Sequence, residues 1–184
     1  MFRKFERSDA AQSSLMKNSA QRAIRMQLLE TYPRLEPVFD QIWNADDAVR
    51  LVKCRNNANL LVVNDEPKFF QDTADKNAPW VPTLRILHMY PSLVTRVQVD
   101  KGAIKFVLRG ANVMCQGLTS AGGTMETFEE GTVVQILAEG LTHPLALGRA
   151  TMSSQAIKET NSGACIEVYT TTHDGLWNLK TLAV

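Results

Sequence analysis

From residue 95 onward the chain breaks into short runs rich in β-branched and apolar residues: "RVQVD", "NVMCQGL", "TVVQILAE", "PLALGRATM" and "ACIEVYTT". Gly and polar turns separate them. Strands this short and this regularly spaced bury their apolar sides by curling into a small barrel or a folded sheet. Two segments depart from the pattern. "KGAIKFVLRG" and "SSQAIKETNS" carry helical spacing and are predicted to be short helices.

The pattern upstream differs, and the change falls near residues 93–96. In "SSLMKNSAQRAIRMQLLETYP", Met16, Ala20, Ile24, Leu28 and Tyr32 recur every fourth residue, which predicts an amphipathic helix. Ser13 or Ser14 is expected to cap it and Pro33 to stop it. "LEPVFDQIWN" reads as a second short helix. "AVRLVKCR", "ANLLVV" and "KFFQD" read as a strand meander with a turn at Asn64-Asp65-Glu66-Pro67, and "TADKNAPW" as a loop. Pro82 suits the first turn of a further helix that Pro91 ends. The fold class expected is α+β: an α/β domain over 1–94 with helices first, then a strand-rich domain over 95–184.

Lys+Arg total 20 against 19 Asp+Glu, a net charge of +1. Recognition of a polyanion must therefore come from a local patch. "MFRKFERSDAAQ" lacks the apolar run of a signal peptide, and no stretch approaches the ~20 apolar residues of a membrane span. Cys54, Cys115 and Cys165 are far apart and lie in apolar runs. They read as core thiols of a protein in a reducing setting, not as a metal site. There is no GxSxG, P-loop, GxGxxG or HExxH pattern, and His88, His143 and His173 are isolated in sequence. No enzyme, metal or cofactor is expected.

"DKGAIKFVLRG" is the segment with chemistry in it. Asp100 is a good N-cap and Gly110 is placed to end the helix in a left-handed conformation. Ala103, Ile104, Val107 and Leu108 would face the core. Lys101, Lys105 and Arg109, at i, i+4 and i+8, then align on the opposite side, where like charges repel by a few tenths of a kcal/mol per pair. Phe106 lies near this edge, where an aromatic ring can stack on a base. A solvated helix face and a core position for Phe106 are the ordinary alternatives. From Thr95 on there are seven basic and eight acidic side chains, so RNA binding here would use one face. Trp43, Trp80, Phe69 and Phe70 could anchor a protein partner or fill the core of the first domain.

"VDKGAIKFVLRGANVMCQGL", followed by "TVVQILAEG", "HPLALGRATMS" and "HDGLWNLKT", resembles a PUA domain. With "MFRKFE", "VNDEPKFFQ" and "PTLRILHMYPSLV", the whole chain is similar to the malignant T-cell-amplified sequence family of translation factors. The chain has Gln116 where the family pattern has Pro, and Asn64-Asp65 where it has Asn-Gly. The loop "QDTADKNAPWVP" is longer than expected. The resemblance implies a PUA pseudo-barrel of short strands with two short helices. It implies a cytoplasmic protein that pairs with density-regulated protein on the small ribosomal subunit. The work implied there is reinitiation, non-standard initiation and release of deacylated tRNA, with ribosomal RNA and the tRNA acceptor end as contacts. No membrane or small-molecule substrate is implied. Lys101, Lys105, Arg109, Gly110 and Asn112 fall on the PUA helix and its exit, the surface PUA domains present to RNA. Phe106 sits beside them, and Arg149 would add a phosphate contact.

Overall fold

The structure is a computed structural model that describes residues 1–183; position 184, the last of the expected second domain, lies outside it. The first half begins with a 3-10 turn at Arg7–Asp9, followed by β1 (Ala10–Leu15) and α1 (Asn18–Thr31). A 3-10 segment, Pro33–Val38, then leads into α2 (Phe39–Ile42). After these come β2 (Val49–Cys54), β3 (Ala58–Val63), β4 (Glu66–Asp72), β5 (Val81–Pro82) and α3 (Leu84–Met89). The second half is β6 (Thr95–Val99), α4 (Lys101–Leu108), β7 (Val113–Met114), α5 (Cys115–Thr119), β8 (Thr124–Met125) and β9 (Val133–Ala138), then β10 (Ala146–Ala150), α6 (Ser154–Thr160), β11 (Ala164–Thr171) and α7 (Gly175–Asn178). The fold class is α+β, with one sheet in each half.

The first sheet is a meander in the order β1-β2-β3-β4-β5. Asn64 and Asp65 both have positive φ, 49° and 64°. Two left-handed residues in succession give the hairpin twist that joins β3 to β4, and Asn and Asp adopt that conformation at low cost. The second sheet runs β7-β11-β10-β9-β6-β8, with β6 and β9 parallel. It curls around its own core, with α4 and α5 against it.

β9 explains how the halves are joined. Every residue of Val133–Ala138 is buried. Val134, Ile136 and Ala138 enter the core of the second half, whereas Val133 enters that of the first. Gln135 also faces the first half, where its Nε2 donates to the carbonyls of Pro91 (2.5 Å) and Val94 (2.9 Å). A strand covered on both faces reads as a continuous apolar run, and the one amide within it serves the carbonyls of the linker between the halves. Leu147, Tyr169, Leu176 and Leu182 also pack into the first core. The two halves are therefore cemented by apolar burial.

The chain's first residues complete this junction. Phe2 and Phe5 are buried, 5.3 Å apart edge to face, and Phe2 meets Phe70 at 5.1 Å. Phe70 in turn meets Tyr169 at 6.0 Å. Gly175 donates its N–H to the Phe2 carbonyl at 3.0 Å. Nearby, His88 reaches the Pro144 carbonyl (2.8 Å), and its ring lies against Trp177 and His143.

Several expectations need correction. Ser13 and Ser14 cap nothing; they belong to β1, which precedes the helices, and α1 starts from Lys17 without a side-chain cap. Strand β1 is an edge strand whose exposed side chains, Ala11, Gln12, Ser14 and Leu15, mix small, polar and apolar types, so "AAQSSL" shows no apolar alternation. Pro82 closes β5, and Thr83 is the N-cap of α3. "NVMCQGL" yields only a two-residue strand before α5, and α5 and α7 bring the short helices of the second half to four, not two. Of the two roles left open for Trp43, Trp80, Phe69 and Phe70, the structure shows the second: all four are core residues. His88 and His143 are not isolated in space, their rings being 5.1 Å apart.

Candidate nucleic-acid interface

Helix α4 is built as its sequence predicts. The Asp100 carboxylate accepts from the Ala103 N–H at 2.9 Å, and the Ser120 hydroxyl also donates to it. That hydroxyl is the main reason the Asp100 carboxyl lies below the usual carboxylate range. Gly110, at φ +84°, ends the helix. Val107 is buried, and Ala103, Ile104 and Leu108 pack partly against the same core. This fixes the helix roll and leaves Lys101, Lys105 and Arg109 on the exposed side.

Lys101 is 79% exposed, and its ammonium stands 3.9 Å from the Glu139 carboxylate, a pair that water and salt weaken. The Lys105 ammonium lies 5.0 Å from the centre of the Phe106 ring, which is 52% exposed. No described residue pairs with the Arg109 guanidinium. A large aromatic ring held at the surface beside a cation has the geometry that base stacking next to a phosphate requires.

The exposed ring forms one wall of a shallow groove of about 710 Å³ between α4 and α5. Asn112, Val113, Met114, Gln116 and Ser120 contribute to its lining. Met114 is 52% exposed. Sequence reasoning missed Met114 and Gln116. The only available signal was the alternation Val113 in, Met114 out, Cys115 in, and Met gives no polar cue that it faces water. Gln116 lies in the first turn of α5, where backbone N–H groups have no partner within the helix. Such a position accepts Gln or Pro alike, so the departure from the family pattern leaves the backbone intact.

Asn112 and Gly110 sit at the helix exit, as expected. The Asn112 side-chain oxygen accepts from the Val168 N–H at 3.2 Å, so its acceptor is committed to β11 and its amide N–H₂ faces outward. Arg149 is placed apart from this group. Its guanidinium donates to the Asp75 carboxylate at 2.6 Å, bridging β10 to the long loop of the first half. That loop is the segment longer than expected, and the ion pair gives it a fixed contact.

Residues 5–91 match the Pre-PUA-like domain and residues 95–170 the PUA domain. The chain is 48% identical over 182 residues to Malignant T-cell-amplified sequence 1 homolog of Drosophila melanogaster, covering 98% of each. This chain belongs to the malignant T-cell-amplified sequence family. Within that family it is 41% identical to Malignant T-cell-amplified sequence 2 of Homo sapiens, over 98% of this chain and 99% of the relative. Translation machinery-associated protein 20 of Saccharomyces cerevisiae is likewise 41% identical, over the same shares. Among solved structures, a hypothetical protein of Pyrococcus horikoshii superposes with a TM-score of 0.72 at 25% identity, over 92% of this chain and 99% of that one. A PUA-domain protein of Aeropyrum pernix shares the fold, with a TM-score of 0.68 at 23% identity over 91% and 90% of the two chains.

Other reactive groups of this family member are muted by their surroundings. Burial, and then Asp9, pushes the Cys54 thiol up to about 11. Burial and the neighbouring Cys115 raise the Cys165 thiol. Neither has the lowered pKa of an activated nucleophile. Among the described residues no helix is long and apolar enough to cross a membrane, and no group of three or more His, Cys, Asp or Glu is arranged to hold a metal ion.

Proposed function

We propose that this chain is a non-enzymatic, cytoplasmic RNA-binding translation factor whose PUA domain, 95–184, faces RNA through α4. The observation that carries the reading is the exposed row Lys101, Lys105 and Arg109 with Phe106 beside an open groove. A near-neutral chain keeps three like charges along one side of this helix, although they repel. Phosphates set against that row relieve the repulsion, and an unpaired base stacks on Phe106 while Asn112 offers its amide at the groove edge. Arg149 contributes by holding the Asp75 loop in place and lies outside this contact group.

The name of the yeast relative supports a place in the translation machinery. We assign the small ribosomal subunit, and with it the tRNA acceptor end, as the RNA partners. The tasks are reinitiation, non-standard initiation and tRNA release. The 1–94 unit receives the density-regulated partner. Leu15 on edge strand β1 and Met26 on α1 are 66% and 72% exposed, an apolar offering of the kind a protein partner covers.

The test is fluorescence anisotropy with an unstructured single-stranded RNA oligonucleotide over a salt series. The wild-type chain should bind, with log K falling by about 0.7 per phosphate contacted for each decade of salt. Phe106→Ala should lose about 1–3 kcal/mol of binding with an unchanged salt slope, because stacking releases no counterions. A wild-type chain that binds no RNA would instead assign the RNA contact to the partner protein, and binding that ignores salt would rule out phosphate contacts by the α4 row.

A further inference from the structure

A basic cleft lies at the far end of α4, outside the groove. It has a volume of about 340 Å³, and its lining includes Arg3, Arg109, Gly110, Thr171, His173 and Asp174. It brings together a cation from the chain's first residues, a cation from the end of the PUA helix and an imidazole from the turn after β11. No described residue pairs with the Arg3 or Arg109 guanidinium. The one acid in the lining is occupied. Asp174 is only 4% exposed, and its carboxylate accepts from the Thr170 hydroxyl (2.7 Å) and from the N–H groups of Thr171 (2.9 Å) and Trp177 (2.9 Å). The charge the cleft turns to solvent is positive.

Arg3 is also held in position. Buried Phe2 and Phe5 pin the segment on either side of it, and Gly175 binds the Phe2 carbonyl. The backbone of Arg3 is thereby fixed at the domain junction while its side chain stays exposed. A pre-placed cation loses little entropy when it meets an anion.

We infer that this cleft binds a backbone phosphodiester of the same RNA strand that lies on α4, an inference that rests on the RNA-binding reading above. Arg109 belongs to both surfaces. A strand stacked on Phe106 would pass Arg109 and place its next phosphates between Arg109 and Arg3, with His173 as a further donor. The Pre-PUA half then touches RNA directly, and its first residues become part of the RNA track as well as a plug at the domain junction.

The experiment measures binding of the full chain to a labelled unstructured RNA oligonucleotide at several salt concentrations. The variants are Arg3→Glu, Arg3→Gln, Arg22→Glu and the triple reversal Lys101→Glu/Lys105→Glu/Arg109→Glu. Arg22 is an exposed residue of α1, so its reversal makes the same change in net charge elsewhere. Thermal melting verifies that each variant is folded, and Arg3→Gln carries the test should the reversal disturb the junction. Expected are a loss of about tenfold for Arg3→Glu, a smaller loss for Arg3→Gln, and a salt slope lower by about 0.7–1 in both, with Arg22→Glu near wild type. If the triple reversal abolishes binding while Arg3→Glu behaves as Arg22→Glu does, the cleft is not a phosphate site and the α4 reading stands. If the wild-type chain binds no RNA, or the triple reversal binds as well as wild type, the RNA reading of α4 fails and the cleft inference falls with it.

Discussion

Gly175→Ala is expected to destabilise this protein by about 3 kcal/mol and lower its melting temperature by roughly 6–12 °C. A Cβ at position 175 would overlap the carbonyl of Phe5, and the atoms it meets are backbone, which no rotamer change can move away. Relief requires the first residues to separate from α7. That breaks the Gly175-to-Phe2 hydrogen bond and loosens Phe2 and Phe5 from a core that spans both halves. The signature in calorimetry is specific: the variant should melt earlier, and the single cooperative transition should broaden or split as the halves uncouple. A melting curve like that of wild type would show that the junction is not built on this close approach.

The second large effect is expected at Asp174. Its carboxylate caps α7 through the Trp177 N–H and closes the turn after β11 through Thr170 and Thr171. Burial holds this carboxyl above the usual carboxylate range, against the pull of those three donors. Asp174→Ala would leave two backbone N–H groups and a hydroxyl without partners in a buried setting. The expected cost is about 3 kcal/mol, and chemical denaturation measures it. Asp174→Asn keeps one good acceptor but turns an N–H₂ toward donors, so its cost should fall between wild type and alanine. A ranking in which Asn is worse than Ala would mean the turn relaxes to satisfy its donors elsewhere.

Much of this architecture was legible from local chemistry. Asp100, Gly110 and the apolar set of α4 act within one helix, so spacing alone locates them. The Asn64-Asp65 turn follows from which residues tolerate positive φ. The apolar run of β9 announced a strand, and Gln135 within it was the trace of a buried polar task at the junction. What escaped depends on partners distant in sequence. Strand β1 is an edge built mostly of small and polar residues with no apolar alternation, so it resembles a loop until β2 pairs with it. Arg149 and Asp75 are 74 residues apart, and only the folded chain shows that one takes up the other. The motif "HDGLW" could be seen as a turn. Its physical content, a buried cap at Asp174, a forbidden Cβ at Gly175, a core Leu176 and a Trp177 ring against His88 and Arg85, exists only at the domain junction. Met114 was missed because half of it is exposed without any polar atom to say so.

The row on α4 is the centre of the functional account, and co-sedimentation with purified small ribosomal subunits tests it most directly. Wild type and the folded triple reversal Lys101→Glu/Lys105→Glu/Arg109→Glu would be compared, each with the density-regulated partner present. The triple variant is expected to keep the partner but no longer pellet with the subunit, and rising salt should remove the wild-type protein in the same way. A triple variant that pellets as fully as wild type would contradict this, leaving the row a solvated helix face and placing the subunit contact elsewhere.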